Sequence, residues 1–491
     1  MLSKMLRVLS LAGVLVSWSC QAGTTTLDAD GGIRLDGKRW FPIGLYETPK
    51  NATKMAEIAR IGFNLVRSGL SSSDLDLVHS HGLKAWIPIG GLAEVHDSTG
   101  GQKLAAAAQG LMNHPGLALW ELPDEALWNV YYSRLQVHEE EFKAIRDRVN
   151  QKISEGGDPA ALKSLFRTLV AAKAIQDWAR AESAIGELWK ALGEKDKATA
   201  TTLSQILPEE EALYQRLLAG YRTLQSSDPS HLVWQNHAPR NSPDLLKKHA
   251  DYCDLIGCDI YPYPENPTQG HSDLSDKTLA SVGAYTRRFR DIAPDKGILM
   301  VLQGFGWRDL FPLPPEKQDS DIGRQPKYLA SRFMAYDAIV RGANGICYWG
   351  TSYPDKDETT WKGLVPVIQE LASLQDFLAA PVIPLPLVIQ PAPSWSSLDK
   401  SVVCSVRKVN EDWLFIFVNE LNAPQTIQVE FPKAFVGKKI YFLYENLFIE
   451  PVAEGYFPLA FSSYGVRILS TRQNLEVEGL KGLNRQFEEP F

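Results

Sequence analysis

Eight short apolar runs, spaced along one chain and separated by helical patterns, limit what this sequence can fold into. The runs are Phe41-Pro-Ile-Gly-Leu-Tyr46, Asn64 to Arg67, Leu83 to Ile89, Leu117 to Leu122, His231 to Gln235, Leu255 to Ile260, Ile298 to Leu302 and Gly345 to Trp349. Between them lie stretches with apolar spacing near 3.6, notably Ala52 to Ile61, Leu245 to Cys253, Thr278 to Ile292 and Lys327 to Arg341. Eightfold strand–helix alternation predicts a (β/α)8 barrel. Strands buried on both faces explain runs instead of clean alternation. The barrel is read over residues 23–380, about 350 residues from position 30 on, against roughly 250 for a bare barrel. The excess sits after the fourth strand. Residues 131–207 read as charged amphipathic helices, Leu162 to Arg180 and Ala181 to Leu192 among them, broken at Gly156 to Pro159 and Gly193 to Lys197. They suit a helical hairpin or small bundle over the barrel's C-terminal mouth, and the fourth barrel helix follows over Pro208 to Leu224. A proline-rich linker, Pro381 to Pro393, then leads into alternating β segments. These predict an antiparallel sandwich over 381–472, with a polar tail at 473–491.

Of the 491 residues, 44% are hydrophobic and 22% charged, an ordinary globular balance that excludes disorder as the main architecture. A net charge of -7 argues against a nucleic-acid surface. Residues 1–22 carry Lys4 and Arg7, then the apolar run Val8 to Trp18, then small residues, the pattern of a secretory signal peptide. Ser17-Trp18-Ser19-Cys20 offers an alternative, a bacterial lipoprotein box with a lipid on Cys20. The expectation is an exported protein: periplasmic, extracellular, or lipid-anchored to the outer face of a bacterial membrane. No later run reaches membrane length. Cys253 and Cys258 could form a short bridge, or stay buried free thiols. His114, His231, His237 and His271 are scattered without metal-site spacing, and there is neither a phosphate loop nor a nucleotide fingerprint. No metal and no cofactor is expected.

In a barrel of this kind, function collects at the C-terminal strand ends. Reading past each run gives Glu47, Arg67, Asp124 with Glu125, Asn236 with His237, Asp259 with Tyr261, Gln303 with Trp307, and Trp349. Stability does not require a polar or aromatic group at so many ends.

Several of these runs resemble the (β/α)8-barrel superfamily of glycoside hydrolases, in particular its large retaining clan. Phe41-Pro-Ile-Gly-Leu-Tyr46 is similar to the clan's first strand, and Asp259-Ile-Tyr-Pro262 to a common sixth-strand motif. Trp120-Glu-Leu-Pro-Asp-Glu125 resembles the fourth strand, whose glutamate is the proton donor. Gly345-Ile-Cys-Tyr-Trp349 resembles the eighth, whose tryptophan floors the sugar site. The resemblance covers residues 30 to 375 and implies a glycosidase acting on a carbohydrate, with Glu125 as proton donor.

One departure stands out. Retaining members carry a nucleophilic glutamate at the end of strand seven, where this chain has Gln303. An amide cannot attack an anomeric carbon. Asp259 is therefore expected as the second catalytic carboxylate, with Glu47 in reserve. An attacking water between the two carboxyls needs a separation of roughly 6.5–9.5 Å. Substrate assistance by an N-acetyl group, oriented by Asp124, Tyr261 and Gln303, is a further option. Asp124, Tyr261, Trp307 and Trp349 are expected to bind sugar, His237 to hold a hydroxyl, and Arg67 to orient a carboxylate. Glu125 could instead cap the next helix, and each aromatic could instead be barrel core. A non-catalytic glycan-binding or polysaccharide-assembly protein on a degenerate barrel is the alternative function.

Overall fold

The computed structural model describes residues 23–194, 203–265, 276–310, 314, 324–356, 358–391 and 402–481. The signal-like segment with Cys20, the end of the Gly193 to Lys197 break and His271 lie outside the described residues. Eight parallel strands close into a barrel: β1 (Ile43–Leu45), β2 (Leu65–Arg67), β3 (Lys84–Pro88), β4 (Leu117–Glu121), β5 (Leu232–His237), β6 (Leu255–Ile260), β7 (Gly297–Gln303) and β8 (Gly345–Trp349). Each pairs with the next in sequence, and β8 returns to β1 through Cys347 opposite Gly44. The expected barrel is therefore present, with strand ends within about two residues of the apolar runs.

Alternation along the strands separates two layers of core. Leu65, Trp86, Trp234, Leu255, Leu299 and Val301 pack together inside the cylinder. Their neighbours Val66, Ile87, Val233, Ile256 and Met300 face the surrounding helices. The same parity decides which polar side chains reach the mouth. A three-stranded antiparallel sheet (Thr25–Leu27, Ile33–Leu35, Lys38–Trp40) closes the opposite end. There the Thr25 hydroxyl donates to the Ala118 carbonyl at 2.7 Å and accepts from the Leu232 amide at 2.9 Å.

After β4 the chain departs into helices at Ser133–Ser154, Pro159–Ala174 and Trp178–Ala191 before the fourth barrel helix, Ile206–Ser227. These inserted helices own a separate core that includes Tyr131, Phe142, Trp178, Leu188 and Trp189. The stretch from Leu162 to Arg180, expected as one helix, is two. Gln176 takes a left-handed φ of 59°, and the Asp177 side chain caps the new helix by accepting from the Arg180 amide. No glycine or proline marks that break, so periodicity alone ran through it.

The C-terminal strands are β9 (Val388–Pro391), β10 (Val402–Val409), β11 (Asp412–Asn419), β12 (Gln425–Glu430), β13 (Ile440–Phe442), β14 (Leu447–Ile449), β15 (Tyr456–Phe461) and β16 (Val466–Ser470). They form two antiparallel sheets, ordered β10-β11-β16-β13-β14 and β9-β12-β15, with a shared core that includes Phe415, Phe417, Val429 and Leu459. The other face of the larger sheet, through Leu414, Ile416 and Ile468, joins the barrel's outer core. Cys253, Cys258, Cys347 and Cys404 are free thiols, so the possible 253–258 bridge is not formed.

Arg332 and Glu370 join two barrel helices beneath the β domain, at 2.8 Å, with side-chain exposures of 6% and 0%. Arg332 also donates to the Val466 carbonyl at 2.8 Å. Removing one partner of a buried pair strands the other charge. Glu370→Ala is expected to cost about 3–5 kcal/mol, read by denaturant unfolding.

Candidate active site

The mouth is built by parity and by one loop. Leu65 and Leu119 point inward, so Arg67 and Glu121, two residues further on, do so as well. Leu255 sets Asp259 inward on β6, and Val301 sets Gln303 inward on β7. The loop after β4 continues its pairing toward β5, where the Glu125 amide donates to the Asn236 carbonyl at 3.2 Å. Glu125 itself adopts φ 49°, a left-handed conformation that costs a non-glycine residue of order 1–3 kcal/mol and clusters at functional sites. A π-helical turn, Trp128–Tyr132, follows at once; such turns are also frequent at functional sites.

Glu125 and Asp259 meet through a side-chain hydrogen bond. Asp259 is 7% exposed. Burial, and then the negative charge of Asp259, pushes the Glu125 carboxyl up to about 9. Burial and the Asp124 charge push Asp259 up to about 7. Two carboxyls in contact cannot both ionise cheaply, so they share one proton at neutral pH. This contact differs from the wide separation that a water placed between the carboxyls requires.

Asn236 organises the cluster. Its Nδ2 donates to Asp124 Oδ1 at 2.9 Å and to Asp259 Oδ1 at 3.5 Å. Asp124 is open to solvent at the rim but walled by protein on its other sides. Burial raises its pKa, while the Asn236 bond and the Arg67 charge oppose the rise. Glu121 lies deeper, accepting from the Tyr46 hydroxyl at 2.6 Å and from Trp86 Nε1 at 2.9 Å. Burial lifts its carboxyl to about 7. It is a satisfied carboxylate of the barrel interior.

The opposite wall is aromatic. Tyr261 stacks on Trp349 with ring centres 5.5 Å apart and planes at 20°. Phe305 supports both edge-on, at 5.1 and 5.2 Å, and also meets Trp307 at 5.2 Å. Gly350 permits this packing, because at φ 83° a Cβ there would stand 2.4 Å from the Phe305 ring. Tyr353, 53% exposed, leans over Trp349 at 5.6 Å. Behind Glu125 the Arg240 guanidinium lies 3.7 Å over the Trp128 ring, which stacks on Tyr132 at 4.9 Å. The positive charge of Arg240 moderates the upward shift of Glu125.

Three expected site residues are engaged elsewhere than with the carboxyl pair. His237 follows the inward Asn236 by one residue and so faces outward, fully buried against Phe289 at 6.3 Å, where burial lowers its pKa to about 3. It has no surface with which to hold a hydroxyl. Gln303 spends its amide on the backbone, accepting from the Tyr263 amide at 2.9 Å and donating to the Tyr263 and Phe305 carbonyls at 2.9 and 3.0 Å. It staples two mouth loops together and is not offered to a ligand. Glu47 is ion-paired with Lys356 at 2.7 Å. Sequence reasoning read Asn236 at its strand end without giving it a role, and it left out the neighbours Arg240 and Trp128. Inward parity on β5 marks Asn236, whereas nothing local marks the other two.

The folded protein holds these carboxyls more basic than an unfolded chain does. It therefore binds extra protons between about pH 4 and pH 9, and stability falls as pH rises through that window. Asp259→Asn removes one of the two repelling charges. Its melting temperature is expected to decline less than that of the parent between pH 5 and pH 9, as measured by scanning calorimetry.

No protein-family model matches the chain, and neither does any curated protein. Solved structures do match. A glycoside hydrolase aligns over 92% of this chain and 97% of its own, at 10% identity and a TM-score of 0.50. A β-galactosidase from Bacillus circulans sp. alkalophilus aligns over 88% and 98%, at 10% identity and 0.49. A β-galactosidase from the psychrophilic Marinomonas ef1 aligns over 68% of this chain at 14% identity and 0.42; the present chain spans only 60% of it. At such identities the likeness is one of architecture alone: the chain shares a (β/α)8-barrel fold with the first of these structures.

Proposed function

We propose that the protein is a glycoside hydrolase cleaving an oligo- or polysaccharide, with Glu125 as proton donor and Asp259 as the second carboxylate. The observation that carries this reading is the shared-proton pair at the barrel mouth, facing a stacked aromatic wall. Sugar rings present apolar C–H faces that suit such a wall, and a glycosidic oxygen needs an acid still protonated near neutrality. Arg67, Asp124 and Asn236 fix the cluster, while Tyr261, Trp349 and Trp307 line the sugar's berth. The pattern over residues 1–22 supports action outside the cytoplasm, with or without a lipid on Cys20.

The proton inventory closes. Glu125 turns from Asp259, opening the roughly 6.5–9.5 Å between carboxyls that an attacking water needs, and gives its proton to the leaving oxygen as the bond to the anomeric carbon breaks. Asp259, freed of that contact, takes a proton from the water that attacks the same carbon. The hydrogen bond between the two carboxyls then returns the proton to Glu125. The products are a free sugar and a new hydroxyl on the leaving fragment.

Glu125→Gln is expected to slow substrates with poor leaving groups far more than activated aryl glycosides. Asp259→Asn should lower kcat by roughly 10²–10⁴-fold with the fold intact by circular dichroism. Provided the two carboxyls part to the wide separation on substrate binding, hydrolysis should invert the anomeric centre by NMR; retention would exclude the water route through Asp259. The profile of kcat/KM should rise through about pH 7, as Asp259 loses its proton, and fall through about pH 9, as Glu125 does. A second reading, a glycan-binding barrel without turnover, is favoured by the backbone-locked Gln303 at the place of the missing nucleophile. Binding on a glycan panel without reducing-end release would select it.

A further inference from the structure

At the barrel floor, opposite the mouth, a cavity of about 300 Å³ opens between the N-terminal sheet, the turns entering β7 and β8, and the linker to the β domain. Its charged lining is Arg39, Arg287, Arg290, Arg341 and Arg407 against one carboxylate, Asp30. Such a cluster runs against the chain's net charge of -7.

Three of the five arginines are paired. Arg39 meets Asp28 at 2.6 Å and Asp30 at 2.9 Å, Arg287 meets Asp291 at 2.7 Å, and Arg341 meets Glu420 at 2.5 Å. Among the described residues, Arg290 and Arg407 have no carboxylate in ion-pair contact. Arg290 donates instead to the carbonyls of Pro294 at 3.2 Å, Lys296 at 2.9 Å and Gly342 at 2.9 Å, and to the Asn344 amide. Arg407 donates to the carbonyls of Leu378 and Ala380 at 2.5 and 2.7 Å. Arg407 is 4% exposed, and its Nε is buried without a hydrogen-bond partner. Burial drags both guanidinium groups downward, Arg407 to about 10, with the Arg39 charge adding repulsion and Asp30 relieving part of it. Carbonyl dipoles orient these cations but do not neutralise them, and an uncompensated buried charge is costly.

We propose that this cavity binds a compact oxyanion of the phosphate or sulfate type, which neutralises Arg290 and Arg407 and ties the barrel floor, the linker and the β domain together. The volume exceeds what one tetrahedral anion needs, so an organic oxyanion also fits.

The test uses the full chain in chloride buffer, titrated with sodium phosphate or sodium sulfate at constant ionic strength. One saturable site by calorimetry is expected, with a melting temperature that rises by about 2–5 °C and follows the logarithm of anion concentration. General salt stabilisation follows salt concentration and shows no saturable binding site. Val382, 51% exposed at the cavity rim and bridged to the Arg407 backbone, allows a variant that keeps the fold. Val382→Glu supplies a carboxylate from within; it should melt higher than the parent in chloride and lose the saturable response. Arg407→Met should lose that response as well, and Val382→Glu carries the test if the Arg407 variant does not fold. Absence of a saturable site in the parent, or an unchanged site in Val382→Glu, overturns the proposal.

Discussion

Closing eight strands into a cylinder imposes a strict parity: along each strand, every second side chain faces the axis and the rest face helices. Everything at the mouth inherits that rule. Trp86, Trp234 and Leu299 fill the axis, and the next inward positions toward the C-terminal ends carry Arg67, Glu121, Asn236, Asp259 and Gln303. Because the interior is already packed, these polar groups have nowhere to retreat from one another. Their hydrogen bonds, and the raised pKa values of Glu121 and Asp259, follow from confinement. Hydrophobic closure of the barrel thereby produces a carboxyl pair that holds a proton where free carboxylates would not.

Much of this architecture was legible. The sixth and eighth strands fall on the residues their apolar runs define, and Ala52–Ile61 is the helix its spacing describes. Short strands such as Leu447–Ile449 and Tyr456–Phe461 were not, since their exposed faces carry Leu447, Phe448 and Tyr456 and break the alternation that identifies a half-buried strand. The cluster was partly legible for the same reason. Position relative to a strand end picked out Glu125, Asp259, Tyr261 and Trp349, which the fold brings together. It also picked out His237, which faces outward by alternation one residue past the inward Asn236, and Glu47, whose carboxylate Lys356 occupies from 309 residues away. Trp128 opens the π-helical turn and Arg240 lies in the turn after β5, and no local pattern announces their meeting.

Gln303 shows why a departure from a family pattern needs geometry as well as alignment. Read as a lost nucleophile, it speaks against catalysis. In the fold it is a rigid cross-brace between the loops after β6 and β7, under the platform of Tyr261 and Phe305. A glutamate there would lack the amide hydrogens that satisfy two buried carbonyls. The exchange of acid for amide thus has a structural reason in the way those two loops are held.

The inserted helices carry their own core, apart from that of the barrel, and they leave the barrel through the π-helical turn just beyond Glu125. Units with separate cores open separately, at a free energy below that of the whole molecule. Loosening of this unit would free one side of Glu125, whose carbonyl accepts from the Asn129 amide at 3.0 Å, while its own amide stays on Asn236 and Asp259 stays fixed in the β6 ladder. Of the two groups that share one proton, one is therefore held wholly by the cylinder and the other partly by a unit with its own core. On warming, the pair would part before the cylinder does.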